Sequence, residues 1–377
     1  MYDDLHILLG SGTELPKVPC FKYLGIEFHS TQWLSHAGAT KAAAANRALG
    51  AFWRGAQSKH IVCKDTLLRI FKTMVLPVGL YGSGIWGMKH LSIAHTGSVF
   101  SSPTQDVQSR FLRLLFGAHD SISRWILHKK NACLPPVQLL FFQSACRLWS
   151  SLKADPLFLM RVLRSDIALY KCGNNHAWAG HLIKQAHLLG LFPDIERREL
   201  HILSQDSLLG RSFHVPSVTE SVNKRYEEFW QLEVQGSPYV DRSDFSTKSC
   251  RRFDSLVYLP DKDSHLTYQG PSQLVSTLHL FRIGAAGLRA SYHSDDPEDR
   301  QCPHCRGGVI EDEKHVIQHC PLYSNPRLDP EFAPLFRTLL TDGSLRAFFN
   351  DTDQHLLARF LHGCLHIRSE LLQGLPT

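Results

Sequence analysis

Residues 302–320, CPHCRGGVIEDEKHVIQHC, place three cysteines and three histidines within nineteen positions. Thiolate and imidazole are the ligands that tetrahedral Zn²⁺ takes. Cys302 and Cys305 stand two residues apart, a spacing that lets a tight chain reversal aim both sulfurs at one ion, and Gly307 and Gly308 supply permissive backbone just beyond. His315 and Cys320 complete a C-x2-C-x9-H-x4-C set, and the helical look of the intervening segment is expected to bring His315 round to the cysteine pair. Four such ligands leave no open coordination position, so the expected cofactor is a structural Zn²⁺ and not a catalytic one. His319, four residues after His315 and on the same helical face, is an alternative to Cys320 as fourth ligand; the stronger binding of thiolate favours Cys320. His304 sits inside the loop and is expected to face solvent or to lie behind the ligands.

Other reactive residue types form weaker constellations. FPDIERREL resembles a nuclease pattern, but Asp194 and Glu196 stand too close together and no Lys follows at the needed place, so a helix cap is expected there. Cys172, His176 and His181 are close in sequence, yet a cysteine nucleophile needs a base and an orienting third group, and ordinary structural roles are expected. VGLYGSGIWG is not a phosphate loop, because it has neither a Lys-Ser/Thr ending nor the Gly-x-Gly-x-x-Gly spacing.

The elements that must position these residues read as mainly helical. With 43% hydrophobic and 20% charged residues, the 377-residue chain can bury a real core in about two or three domains. The first thirty residues suggest a β-hairpin, LHILLG and FKYLGIEFH joined through a Gly-Ser-Gly and proline bend. Alanine-rich periodicity predicts a helix from Ser35 to about Gln57, with Arg47 and Arg54 two turns apart on one face. CKDTLLRIFKTMVLP is a second helix, with Pro77 expected to end it. Helical patterns follow over about 104–117, 136–152, 157–170, 176–189 and 218–235, with polar linker character over 202–218 and 237–249.

Charge is divided unevenly. Residues 1–190 carry 21 Lys and Arg against 9 Asp and Glu, whereas residues 191–377 carry 20 against 26. A positive N-terminal half attracts polyanions, of which nucleic acid is the commonest inside cells. Seven cysteines outside the cluster are scattered singly, as reduced thiols are, and neither a secretory leader nor a membrane-spanning run is visible. A soluble nuclear or cytoplasmic protein with no membrane partner is expected.

Four stretches, in order, carry a family resemblance: FKYLGIEF at 21–28, VLPVGLYGSGIW at 75–86, LFRIGAAGL at 280–288 and CPHC…HVIQHCPLYSNPR at 302–327. The chain resembles the C-terminal half of a non-LTR, LINE-type retrotransposon reverse transcriptase. The resemblance implies a mainly α fold: a β-hairpin remnant of the palm over 1–34, a helical thumb-like domain over 35–135, a helical middle region with loose linkers over 136–270, and a zinc knuckle with flanking helices over 271–377. It implies that Tyr23, Leu24 and Gly25 lie at the base of the palm near the primer end. It also implies that Lys41, Arg47, Arg54, Lys59 and Lys64 line the thumb and contact the phosphates of RNA or DNA, without reading bases.

MYDDL resembles the Tyr-x-Asp-Asp box that holds catalytic Mg²⁺ in that family. Its spacer residue is missing, however, and Asp4 precedes Tyr23 by far fewer residues than the family pattern has. Two-metal chemistry also needs a further carboxylate from an earlier strand, so Asp3 and Asp4 are not expected to be catalytic, and Mg²⁺ enters only with a complete palm. Two functions therefore stand at this stage. One is a reverse-transcriptase fragment that binds nucleic acid without polymerising by itself; the other is a stand-alone zinc-stabilised module, derived from such an element, that binds nucleic acid or protein.

Overall fold

The computed structural model describes residues 18–374 apart from 62, 92–98, 119, 121–123, 130–133, 155–157, 175–176, 192–208, 210–211, 236–267, 269, 283, 285, 290–296, 306–307, 343–344 and 351. Asp3, Asp4, His176, Asp194, Glu196, the strand expected near LHILLG and the 237–249 linker lie outside the described residues. So does most of the 202–218 linker.

Two strands, β1 (Cys20–Tyr23) and β2 (Ile26–His29), pair antiparallel with Phe21 opposite Phe28 and Tyr23 opposite Ile26. The stretch FKYLGIEFH, read from sequence as one strand, is thus the hairpin itself. Its turn is Leu24-Gly25, with φ of +46° and +79°. Positive φ at both central positions matches the right-handed twist of paired strands, and glycine supplies the second without steric cost. Leucine does not do so readily, and the conformation at Leu24 is held from outside by Tyr81, whose Oη donates to the Leu24 carbonyl at 2.9 Å.

α1 (Trp33–Ser58) runs for 26 residues and buries Ala42, Ala45, Leu49 and Ala56 at helical spacing. Small side chains on that face let neighbours approach closely. α2 (Lys64–Ile70) does not end at Pro77. A π-turn over Phe71–Val75 carries it into α3 (Leu76–Leu80), where the proline occupies the first turn. The wider turn accommodates the N–H that proline lacks, and the Thr73 hydroxyl donates to the carbonyls of Arg69 and Ile70. α4 (Ser83–Trp86) follows, then a 3₁₀ turn over Gly87–His90. α5 (Pro103–Phe116) has a Ser102 cap accepting from the Gln105 N–H, proline in its first turn and Gly117 in the left-handed region past its end.

The helical bundle continues through α6 (Arg124–Lys129), α7 (Val137–Ala154), α8 (Leu159–Lys171), α9 (Trp178–Leu188) and α10 (Val215–Gln235). One apolar cluster extends from Ala42 to Trp230 and so draws on both the 35–135 and 136–270 segments; Phe71 and Phe111 stack within it at 4.0 Å. A small cluster of Ile26, Ala37, Trp86, Val137 and Phe141 fastens the hairpin to the bundle.

A second large cluster, from Leu278 to Cys364, is built by α11 (Ser272–Arg282), α12 (Ser324–Leu328), α13 (Ala333–Asp342), α14 (Leu345–Asn350) and α15 (Gln354–Gln373) around the Cys/His segment. α11 packs along α15, and Arg282 at its end donates to the Phe349 carbonyl, Asn350 Oδ1 and Gln354 Oε1, which joins α14 to α15. The chain is therefore mainly helical with a two-stranded N-terminal hairpin, as its periodicities predict. Among the described residues no helix is long and apolar enough to cross a membrane.

Candidate metal centre

Two short arms bring the cysteine pair into place. Gln301 and Ile310 bridge in antiparallel fashion, the Cys302 N–H donates to the Val309 carbonyl (2.8 Å) and the Glu311 N–H to the Arg300 carbonyl (3.0 Å). The loop between these arms carries Cys302 and Cys305 and turns through Gly308 at φ +74°.

The other two donors come from the helical segment that follows. Asp312 caps its start, accepting from the His315 N–H at 2.6 Å. Residues His315–His319 then form a π-turn, closed by the Cys320 N–H donating to the His315 carbonyl at 2.7 Å. In an α-helix, residues five apart point away from each other; the wider π-turn brings them to the same side. His315 and Cys320 therefore face one point, and His319, solvent-exposed, falls outside the cluster. His304 is exposed as well. The four residues brought together are Cys302, Cys305, His315 and Cys320, with all donor atoms within 4.8 Å of one another.

The separations are those of ligands about one ion. Cys302 Sγ and Cys305 Sγ each lie 3.7 Å from Cys320 Sγ, and Cys305 Sγ lies 3.4 Å from His315 Nε2. A tetrahedral Zn²⁺ with Zn–S of about 2.3 Å and Zn–N of about 2.0 Å sets its ligands about 3.8 Å apart for S···S and about 3.5 Å for S···N. Cys302, His315 and Cys320 are buried. Burial pushes the Cys302 thiol up, but hydrogen bonds with His315 and with the backbone N–H groups of Cys305 and His304 outweigh it and bring the pKa down to about 7. Burial raises the thiols of Cys305 and Cys320, and the Cys302 charge raises them further. One thiolate forms near neutrality; three at this spacing require a cation among them.

Two arginines support the cluster. Arg327 donates to the carbonyls of Val316, Ile317 and Cys320, the groups left open at the end of the π-turn. Arg368 of α15 holds the buried Glu311 next to the cysteine loop, and Glu311 Oε2 also accepts from the Arg289 N–H at 2.8 Å. The residue just past the LFRIGAAGL stretch, the knuckle and α15 are thereby joined.

The basic residues expected to form one surface have different surroundings. Arg47 and Arg54 are exposed on α1, and Lys59 is exposed just past its end. Lys41 lies instead against the hairpin, its Nζ 4.7 Å from the centre of the Tyr81 ring. Lys64 is turned inward: its ammonium donates to the Leu115 carbonyl at the end of α5, and burial lowers its pKa to about 8. Together with Trp53, Arg110, Arg113 and Arg124 line a cleft between α1, α5 and α6 that sequence reasoning did not single out, with Asp106 and Asp120 pairing two of them. His181 Nε2 meets the Leu91 carbonyl at 3.0 Å and the Gln185 amide at 3.3 Å, a structural setting, while Cys172 lies at the exposed end of α8.

Fold and site define a class: a mainly α-helical protein whose C-terminal core is built around a Cys₃His cluster able to hold a metal ion. Comparison with protein-family models, with curated proteins and with solved structures returned no match.

Proposed function

We propose that this chain binds RNA or single-stranded DNA as the palm-end, thumb and knuckle portion of a LINE-type reverse transcriptase. In this reading Cys302, Cys305, His315 and Cys320 hold a structural Zn²⁺. The observation that carries it is the convergence of these four donors at tetrahedral separations, within the last of four stretches that resemble the family in order. The first two of those stretches also meet in space, through Tyr81 Oη and the Leu24 carbonyl.

Each part has a physical task. The ion ties the cysteine loop to the His315–Cys320 turn and so fixes the base of the C-terminal core, a contribution to folding and not to bond-making. The excess of Lys and Arg in residues 1–190 supplies phosphate contacts that hold a strand without reading its sequence. Polymer synthesis is not assigned to these residues, and Mg²⁺ enters only with a complete palm.

Fluorescence anisotropy of labelled RNA and single-stranded DNA, titrated with the full chain between about 50 and 200 mM salt, tests the binding. Affinity that falls steeply with salt is expected. Absent or salt-independent binding would overturn it and leave the protein-interaction module. Template-dependent primer extension in Mg²⁺ would overturn the assignment of binding without synthesis.

A further inference from the structure

Far from the knuckle in sequence, a second set of donors converges that the proposed function does not use. Cys20 is in β1, Glu27 in β2 and His36 in the first turn of α1, and their donor atoms lie within 4.8 Å of one another. His36 Nε2 is 3.2 Å from Glu27 Oε2 and 3.7 Å from Cys20 Sγ. About one tetrahedral Zn²⁺, a carboxylate oxygen and an imidazole nitrogen sit about 3.4 Å apart, and a thiolate and an imidazole about 3.5 Å.

Two chemistries bring Cys, His and Glu together: a nucleophile with its base and orienting acid, and a metal site. They differ in which ring atoms are used. A relay sets the nucleophile against one imidazole nitrogen and the acid against the other. Here the sulfur and the carboxylate both approach Nε2, as ligands around one ion do.

The surroundings fit a cation. Thiolate and carboxylate together balance a divalent charge. Lys41, whose ammonium feels the charges of both Lys22 and Glu27, competes with the ion for that carboxylate. His29, its ring centre 5.1 Å from that of His36, is not a further ligand. Its Nδ1 accepts the N–H groups of Thr31 and Gln32, so the neutral ring carries its proton on Nε2. Cys20 is exposed, while the side chains of Glu27 and His36 retain 33% and 26% exposure, so water can take the fourth position.

We propose that Cys20, Glu27 and His36 form a second divalent-cation site, suited to Zn²⁺, that staples both hairpin strands to α1. It stands independently of the nucleic-acid reading and of the knuckle. With three protein ligands and a solvent-facing position, it binds more weakly than the four-ligand centre. The ion closes a junction at which β1, β2 and α1 meet through polar groups.

The test follows the Cys20 thiol itself. The full chain, stripped by chelator and then given Zn²⁺, is pulse-alkylated with iodoacetamide, and Cys20 modification is followed by mass spectrometry. A metal-bound thiolate is a poor nucleophile, so Zn²⁺ is expected to slow alkylation of Cys20 by at least about tenfold. Glu27→Gln and His36→Ala should abolish that protection; Cys302→Ser should leave it intact. Co²⁺ titration gives a second readout: Cys20→Ser should bind one equivalent fewer than the parent chain. Alkylation of Cys20 that ignores Zn²⁺, together with equal Co²⁺ stoichiometry in Cys20→Ser, would overturn the site.

Discussion

Arg368 grips Glu311 with both ends of its guanidinium fork, Nε to Oε1 at 2.7 Å and Nη2 to Oε2 at 2.8 Å, although the two residues are 57 positions apart. The Glu311 carboxylate is 1% exposed and stands in the arm of the cysteine loop; Arg368 belongs to the last helix. A buried pair of this kind is costly to break from one side, because the remaining charge is left without a partner. Arg368→Ala is therefore expected to destabilise the C-terminal core by about 3–5 kcal/mol. Arg368→Lys should recover only part of the loss, since an ammonium cannot bridge both oxygens with the same geometry. Urea denaturation of the three chains decides this, and equal midpoints would show that the pair contributes nothing.

The arrangement of donors separates residues that look alike in sequence. Cys302→Ser and His315→Ala each remove a converging ligand and are expected to weaken Zn²⁺ binding by more than about 100-fold, beyond the loss typical of supporting residues. His304→Ala and His319→Ala remove exposed imidazoles and should leave affinity unchanged. Competition with a chromogenic chelator measures all four. A large loss in His319→Ala would transfer the fourth ligand from Cys320 to His319. Asp312→Ala, which removes only the cap of the ligand-bearing turn, is expected to cost about 1 kcal/mol of stability while the ion is retained.

What could be read from the residues followed from how local each signal was. The C-x2-C-x9-H-x4-C spacing identified the four converging donors, because ligands of one ion must be brought close by short segments of chain. The choice of Cys320 over His319 rested there on thiolate affinity; the geometric reason, a π-turn that rotates residue 320 beneath residue 315, has no periodic signature. Helices such as Pro103–Phe116 were legible from apolar spacing. The hairpin turn was not, since leucine is a poor indicator of positive φ and the bond that holds Leu24 comes from Tyr81, far along the chain. Lys64 and Arg54 are both cations on helices in sequence; only packing against Leu115 tells them apart. Cys20, Glu27 and His36 likewise meet only through tertiary structure.

Lys64 links burial to pH. Its folded pKa of about 8 lies below the ordinary 10.5 because burial opposes the charged form. Between those values the unfolded chain binds more protons than the folded one, so stability rises as pH increases from about 8 to about 10.5; below about 8 the full cost of the buried charge is present. The gain is at most about 3 kcal/mol, since the bond to the Leu115 carbonyl offsets part of it. Thiols and phenols ordinarily titrate in the same range, so the measurement is a difference. Unfolding free energies of the parent chain and Lys64→Met are compared at pH 7.5 and 10.5, with the change expected in favour of the parent. A difference that does not move with pH would mean that Lys64 keeps its ordinary proton affinity.

The same inward turn of Lys64 sharpens the expectation for nucleic acid. Arg47, Arg54 and Lys59 present their charges to solvent along and just beyond α1, whereas the Lys64 ammonium is engaged at the end of α5. A phosphate contact releases counterions, and for single strands each one lost lowers the slope of log affinity against log salt by about 0.7. Replacing Arg47, Arg54 and Lys59 together by Ala should therefore weaken binding to RNA or single-stranded DNA and flatten that slope by about two. Lys64→Met removes the same unit of charge per site but no solvent-facing group, so its slope should stay that of the parent chain. Parallel salt titrations by fluorescence anisotropy provide the comparison. An unchanged slope in the triple variant would move the phosphate path off the exposed cations of α1, and the arginine-lined cleft at Trp53 would then be the next surface to neutralise.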